Sequence, residues 1–396
     1  MSRLVATSST QSRARRPLPD GWHPQVVARG GVWEQWRVYD AAGNSFDHRI
    51  DVSWVLDQGG PLLGYTGGRT AHATELMRRV RKLTARGMYG PGAVASELEE
   101  EAAELLCDMV GARLVGGKKA QRVRWLANGS DACDCAIRLA RAYTEREHFV
   151  SIGYHGSSVL FTHPPQRAGV PDWCYRGRVD VEFGDTQALA HAVNNYALAA
   201  IIVEVPPLDD DARSFLHEVR RLCSWNGALM ILDEVVTGFR LALCGATELY
   251  DVLPDMACYG KALSNGRGIS ALVGREELMG LLEEEVFFSN TFNGDPYNCA
   301  HVIATLELLH EHHDDIYGHL WGLGNLLIAG LSERGVPCGG TAPRSVLLWP
   351  DKQRREFCAK LVPLGVMMDR PQYISMAHST ASLASTFAAI EKVMGE

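Results

Sequence analysis

Short apolar runs alternate with helical patterns through the middle of the chain. Each run is bounded by glycine, proline or charge, as in strands of a parallel sheet that are buried on both faces. The runs fall at 122–127, 148–152, 199–205, 228–232 and 256–259. Apolar residues with helical spacing lie between or before them, at 97–110, 131–144 and 212–225. Strands and helices that alternate across 122–273 predict an α/β fold, a mostly parallel sheet with helices on both faces.

The two chain ends predict a second, smaller α/β domain. Residues 33–51 form two strand patterns around an Ala-Gly-Asn turn, which is typical of a hairpin. A helix is expected at 297–313, strands at 345–349 and 373–376, and a closing helix at 381–394. We therefore divide the chain into four parts: a tail at 1–16, an N-terminal segment of the small domain at 17–62, a large domain at 63–297, and the C-terminal part of the small domain at 298–396.

Composition excludes several classes of protein. The chain has 396 residues, 46% of them hydrophobic and 22% charged, with a net charge of −8, which argues against a nucleic-acid partner. No apolar run reaches the ~20 residues of a membrane span. The ten cysteines form no CxxC pair, which favours reduced thiols and a cytoplasmic location. The basic N-terminal residues lack the apolar core of a secretory signal, and we interpret them as a disordered tail rather than a transit peptide.

Candidate chemistry lies where two of the apolar runs end. Asp233 and Glu234 follow the run at 228–232, and Lys261 follows the run at 256–259. Ligands of open α/β sheets bind beyond the carboxyl ends of the strands. A buried lysine is costly unless it is neutralised or covalently occupied. Pyridoxal phosphate chemistry uses such a pair, because the lysine forms a Schiff base with the aldehyde and the acid pairs with the ring nitrogen. The alternative is an ordinary strand-end acid and a solvated lysine.

The residues around this pair resemble a known family. DEVVTGFR at 233–240, followed by PDMACYGKALSNG at 254–266, resembles the signature of class-III aminotransferases of fold type I, in particular the branch similar to glutamate-1-semialdehyde aminomutase. The resemblance implies a large domain with a mainly parallel seven-stranded sheet and a smaller α/β domain. It also implies pyridoxal 5'-phosphate as the cofactor, with Lys261 and Asp233 as the catalytic residues.

Other family motifs imply further cofactor contacts. NGSDA at 128–132 follows a strand and opens a helix, a geometry that binds phosphate, and the resemblance places Gly129 and Ser130 on the cofactor phosphate. The alternative for this motif is a plain helix N-cap by Ser130 or Asp131. GYHG at 153–156 resembles the motif whose aromatic residue, here Tyr154, lies against the cofactor ring, with Val235 on the opposite face.

The resemblance also implies a homodimer. TFNGDP at 291–296 resembles the family turn whose threonine, here Thr291, reaches the cofactor phosphate of the neighbouring subunit. Trp54 and Glu204 are the candidate substrate residues, although Glu204 is equally suited to a structural hydrogen bond. Arg267 and Arg370 are candidates for a substrate carboxylate, and neither is singled out by the sequence.

The expected activity is amino transfer between a small-molecule amine or amino acid and a carbonyl compound. The alternatives are an aminomutase, a racemase or epimerase, and carbon–carbon bond chemistry on the same site. A non-catalytic binding protein would be expected to lack Lys261. The Gly116–Lys119 sequence does not fit a P-loop, because a strand and not a helix follows it. We predict no metal, and attribute the histidine-rich 310–315 stretch to a polar helix end.

Overall fold

The computed structural model describes three sheets and the helices that cover them. The described residues are 23–30, 33–39, 45–47, 71–86, 95–117, 121–162, 167–208, 211–361, 364, 366, 368 and 371–395, and in the first three ranges only the backbone is described. The strands are β1 His23–Gly30, β2 Trp33–Tyr39, β3 Ser45–Asp47, β4 Gln121–Leu126, β5 His148–Ile152, β6 Arg178–Asp180, β7 Leu198–Val203, β8 Leu229–Glu234, β9 Met256–Tyr259, β10 Ser270–Arg275, β11 Cys338–Thr341, β12 Arg344–Leu347 and β13 Pro371–Tyr373.

Twelve α-helices connect and cover these strands in the described residues. They are α1 Ala71–Thr84, α2 Glu97–Val110, α3 Gly129–Thr144, α4 Thr186–Asn195, α5 Ala212–Asn226, α6 Ala246–Leu249, α7 Glu276–Met279, α8 Leu281–Glu284, α9 Pro296–Glu311, α10 His313–Glu333, α11 Asp351–Leu361 and α12 Thr380–Met394. None of the helices described is both long and apolar enough to cross a bilayer.

The central sheet has seven strands in the order β4-β10-β9-β8-β7-β5-β6. Only β10 among them runs antiparallel to its neighbours, β4 and β9, and the other pairs are parallel. Every residue of β7, β8 and β9 is buried, as expected for strands covered on both faces. The predicted α/β fold with a mainly parallel sheet is therefore confirmed, and the carboxyl ends of the central strands meet at one edge.

Two smaller antiparallel sheets lie toward the chain ends. Strands β1, β2 and β3 form one, and β11, β12 and β13 form the other. The predicted hairpin corresponds to β2 and β3, whereas β1 and β11 were not anticipated. Pro24 and the two glycines of β11 explain why, since proline and glycine are unfavourable in strand patterns. The division of the chain at residues 62 and 297 stays a prediction.

The acid pair lies inside a strand, where the sequence placed it just beyond one. Strand β8 continues through Asp233 and Glu234 because its ladder with β9 extends to the Glu234–Tyr259 pair. Successive side chains of a strand point to opposite faces of the sheet. The side chains of Asp233 and Glu234 therefore lie on opposite faces of the sheet, and of the two only Asp233 lines the cavity described below.

Candidate active site

A cavity of about 410 Å³ opens at the carboxyl ends of β8 and β9. Six of the predicted cofactor residues line it, namely Gly129, Ser130, Tyr154, Asp233, Val235 and Lys261. The remaining wall is made by residues from four segments, which are Ala127 and Asn128, His155 and Gly156, Val236, and Gly266, Arg267, Gly268, Ile269 and Ser270. Its size falls within the range of roughly 300–1,000 Å³ that is usual for small-molecule sites.

Asp233 is a buried carboxylate that is already oriented. Its side chain accepts hydrogen bonds at Oδ1 from the Val235 amide (3.1 Å) and at Oδ2 from the Cys133 thiol (3.4 Å). His155 Nδ1 lies 2.8 Å from Oδ2, so a proton on this nitrogen completes a third hydrogen bond. These contacts fix the plane of the carboxylate at the floor of the cavity. The ligand atoms of Cys133, His155 and Asp233 lie within 4.8 Å of one another, and hydrogen bonding accounts for this cluster.

The start of α3 forms an anion-binding corner of the cavity. Asn128 is the N-cap, and its side chain accepts from the Asp131 amide at 3.0 Å. The alternative of a cap by Ser130 or Asp131 is therefore wrong. Ser130 Oγ instead accepts from the Ser157 amide at 3.1 Å, and Ser130 lines the cavity. Backbone amides and a hydroxyl at a helix start are suited to a phosphate.

Glycines allow the loops around this corner to approach closely. Gly156 has φ +98°, and a Cβ there would lie 2.8 Å from Ser130 Cβ and 3.1 Å from Ser130 Cα. A Cβ at Gly129 would lie 2.8 Å from Val235 Cγ1. Both contacts are too short for any larger residue, so the corner is shaped by the absence of side chains.

Tyr154 and Val235 contribute apolar surface on the cavity wall. Tyr154 is 62% exposed although its ring is large and apolar. Val235 is partly buried and packs against the core. A flat aromatic ligand would cover exposed apolar surface of this kind.

Lys261 lies at the entrance to a short 3₁₀ helix, Lys261–Ser264, directly after β9. Its φ of +47° is in the left-handed region, which costs a non-glycine residue roughly 1–2 kcal/mol. Such strain tends to be retained at functional sites. Gly260 precedes it, where a Cβ would lie 2.7 Å from Ser270 Oγ. The unfavourable φ of Lys261 thus directly follows a position where only glycine fits.

Glu234 serves the loop that follows β8 and does not line the cavity. Its carboxylate accepts from the Ala246 amide (3.0 Å), the Thr247 amide (2.7 Å) and the Thr237 hydroxyl. Burial raises the pKa of Glu234 to about 7, while these donors act in the opposite direction. The second acid of the motif therefore fixes the loop from 235 to 247.

The other predicted residues lie elsewhere. Glu204 does not line the cavity; its Oε1 accepts from Arg344 Nη2 at 3.0 Å and its Oε2 from the Tyr154 amide at 3.2 Å. Both oxygens are used in structural contacts, so its role toward substrate stays a prediction. Thr291 is exposed and lies outside the cavity wall. Trp54 and Arg370 lie outside the described residues.

Comparison with known proteins identifies the family. Residues 181–335 match the model of the class-III aminotransferase family. A protein of Acetivibrio thermocellus named glutamate-1-semialdehyde 2,1-aminomutase is 31% identical, over 81% of this chain and 77% of that protein. The chain belongs to the class-III aminotransferase family. A protein of the same name from Alkaliphilus oremlandii is 29% identical over 99% of both chains.

Solved structures share the fold. The FumI protein of Sphingopyxis sp. MTA144 has a TM-score of 0.75 at 24% identity, covering 91% of this chain and 86% of that one. An omega-transaminase from Sphaerobacter thermophilus has a TM-score of 0.73 at 21% identity, covering 97% and 96%. The fold is therefore the fold-type-I fold that the sequence motifs implied.

Class-III aminotransferases use pyridoxal phosphate, and the cavity fits this cofactor. It offers a lysine, a buried and oriented carboxylate, an anion-binding corner and an exposed aromatic ring on one wall. This member of the family is thus a pyridoxal-phosphate-dependent enzyme.

Two participants in this site were missed by sequence analysis. His155 belongs to the GYHG motif, but nothing in the motif indicates that its ring contacts Asp233. Cys133 lies one turn into α3, and a cysteine at that position of a helix does not by itself indicate a contact with Asp233. Both contacts join residues that are far apart in sequence, so local patterns do not reveal them.

Proposed function

We propose that the cavity performs amino transfer between an amine or amino acid and a carbonyl compound, with the cofactor covalently attached to Lys261. The observation that carries this proposal is the convergence of Lys261 and the buried Asp233 in one cavity. When bound, the cofactor supplies an electron sink for the bond that is broken at the substrate carbon.

Each protein group would have a defined task. Asp233 would hold a proton on the ring nitrogen, because a buried carboxylate favours an adjacent positive charge. Tyr154 and Val235 would fix the plane of the ring from its two faces. Gly129 and Ser130 would bind the phosphate. Lys261 Nζ, once released by the incoming amine, would move a proton to or from the substrate carbon as general base and acid.

We further propose that the active enzyme is a homodimer in which Thr291 serves the phosphate site of the partner. Thr291 is exposed, and the neighbouring Phe287 and Phe292 are 81% and 67% exposed. Large exposed aromatic residues on both sides of one turn mark an interaction surface. A second subunit would cover this apolar area and receive the threonine.

An aminomutase is the second candidate function. It is favoured by the names of the relatives from Acetivibrio thermocellus and Alkaliphilus oremlandii. The same side chains would move an amino group within one molecule, so the two functions differ in whether a carbonyl product leaves the site.

Borohydride reduction followed by peptide mass mapping tests cofactor attachment. The cofactor mass should appear on the peptide that contains Lys261 and be absent in Lys261→Ala. The control Lys352→Ala replaces an exposed lysine at the start of α11 and should keep the label. A protein that cannot be loaded with pyridoxal phosphate, or that is labelled elsewhere, would contradict the proposal.

Absorbance of the loaded enzyme with a panel of amino donors then separates the two functions. Accumulation of aminated cofactor with release of a carbonyl product indicates amino transfer. Conversion of glutamate-1-semialdehyde into a product of the same mass, without release of a carbonyl product, indicates an aminomutase.

A further inference from the structure

Arg267 gives the cavity a permanent positive charge. The other charged groups that line the cavity are Asp233, which is hydrogen-bonded to His155, and Lys261, which would hold the cofactor covalently. A guanidinium stays protonated at any physiological pH. Both kinds of molecule expected in the cavity can carry anionic oxygen groups, namely the phosphate of the cofactor and the carboxylate of an amino-acid substrate.

The backbone and side chain of Arg267 are held in place. Its amide donates to Ser264 Oγ (3.2 Å), and its carbonyl accepts from the same hydroxyl (2.8 Å). Its guanidinium carbon lies 4.5 Å from the centroid of the Tyr297 ring, and Nε donates to Asn298 Oδ1 at 3.4 Å. Stacking on an aromatic ring orients the planar guanidinium and reduces the entropy that is lost when an anion binds.

Burial and neighbouring groups act in opposite directions on the charge of Arg267. The side chain is half-buried, and burial lowers the pKa of Arg267, while Tyr297 and Asp295 act in the opposite direction. Asp295 already caps α9, where its Oδ1 accepts from the Asn298 amide at 3.0 Å. Burial, with a contribution from Arg267, lowers the pKa of nearby His301 to about 3, so this imidazole is neutral at physiological pH. A bound anion would stabilise the partly desolvated cation.

The other candidate arginines are less suited to this role. Arg240 is buried outside the cavity wall, and its Nη1 donates to the carbonyls of Pro343 (3.2 Å) and Ile374 (2.9 Å). It therefore joins the loop after β8 to the C-terminal sheet. Arg370 lies outside the described residues.

We propose that Arg267 binds an anionic oxygen group of the ligands that occupy this cavity. The group is either the cofactor phosphate or a substrate carboxylate, which are alike in accepting two parallel hydrogen bonds from a guanidinium. The proposal rests on the proposed function, because that function brings both groups into the cavity. A carboxylate would restrict the substrates to amino acids and oxo acids.

Binding to the apoenzyme tests the proposal without catalysis. Arg267→Leu removes the charge, and Arg267→Lys keeps it while losing the planar donor pair. Arg122→Leu is the matched control, since Arg122 lies on β4 of the same sheet, outside the cavity wall, and pairs with Glu276 at the surface. The probes are pyridoxal phosphate, pyridoxal, inorganic phosphate and succinate, measured by titration calorimetry. Arg267→Leu should lower the affinity for at least one of the anionic probes by about 10- to 150-fold, the effect expected when a hydrogen bond to a charged group is lost.

The pattern of losses distinguishes the two sources. If Arg267 binds the phosphate, Arg267→Leu loses affinity for pyridoxal phosphate and inorganic phosphate, and its affinity for pyridoxal is unchanged. If it binds a carboxylate, cofactor affinity is kept, succinate binding is lost, and the loaded enzyme loses its preference for β-alanine over propylamine. In either case, Arg267→Lys should show a smaller loss.

Equal affinities of Arg267→Leu, wild type and Arg122→Leu for all four probes would overturn the proposal. Failure of the proposed function is recognised separately, because wild-type protein would then carry no cofactor on Lys261. The binding of phosphate or succinate by the apoenzyme would still report on Arg267 in that case.

Discussion

Gly156→Ala offers a stringent test of how the anion-binding corner is built. The substitution adds one methyl group at φ +98°, 2.8 Å from Ser130 Cβ and 3.1 Å from Ser130 Cα. Ser130 belongs to the first turn of α3 and cannot retreat without moving the helix start. Gly169→Ala is the matched control, because Gly169 has φ +84° and its added Cβ would meet no atom within 4 Å.

The expected losses of stability and cofactor affinity distinguish backbone strain, which both variants share, from the contact with Ser130, which only Gly156→Ala makes. Both variants place an alanine in the left-handed region, which costs roughly 1–2 kcal/mol of folding stability. Only Gly156→Ala also displaces Ser130, with loss of the Ser157–Ser130 hydrogen bond, worth about 1 kcal/mol. Misplacing a hydroxyl that binds the phosphate should cost a further ~1.5–3 kcal/mol of binding, equivalent to about 10- to 150-fold in cofactor Kd.

Spectroscopic titration of the apoenzyme with pyridoxal phosphate, combined with urea unfolding, measures both quantities. Gly169→Ala should lose stability and keep the cofactor Kd, whereas Gly156→Ala should lose both. A second substitution, Ser130→Gly, removes the obstructing side chain and should restore part of the stability of Gly156→Ala without restoring cofactor affinity. Equal cofactor affinity in Gly156→Ala and Gly169→Ala would refute the assignment of this corner to the phosphate.

Two further predictions concern buried charges. Arg344→Met should destabilise the protein by about 3–5 kcal/mol, because it leaves the Glu204 carboxylate buried without its cation. In urea unfolding, the double variant Arg344→Met with Glu204→Gln should lose less stability than the sum of the two single variants. Additive losses would contradict this pairing. Burial lowers the pKa of His301 to about 3 from 6.5, so unfolding takes up a proton between these pH values and stability is lost as the pH falls through this window. When the pH is lowered from 7 to 5, the free energy of unfolding of His301→Phe should fall by about 2 kcal/mol less than that of wild type. Equal falls would show that His301 becomes charged without unfolding.

Local sequence patterns determined the fold class and six residues of the cavity wall. Buried strands read as continuous apolar runs, so β5 and β9 have the predicted bounds and β4, β7 and β8 differ by one or two residues. The acid lies at the carboxyl end of β8, and the lysine and the Gly-Ser corner lie within four residues after β9 and β4. Ligands of open α/β sheets bind at this end of the strands. Asp233, Lys261, Gly129 and Ser130 each lie near the end of a strand in sequence. The sheet brings these strand ends together, so the four residues line one cavity.

Only the tertiary structure decided which groups surround these residues. Asp233 meets His155 from 78 positions away, and Glu204 meets Arg344 from 140 positions away. Arg267 is distinguished from the other arginines by its place on the cavity wall and on the ring of Tyr297. Such contacts depend on how loops and domains pack, and they leave no periodic pattern along the chain. The sequence alone thus determined the fold, the cofactor and the residues at the strand ends, while packing between distant segments determined the charge balance and hydrogen bonds that surround them.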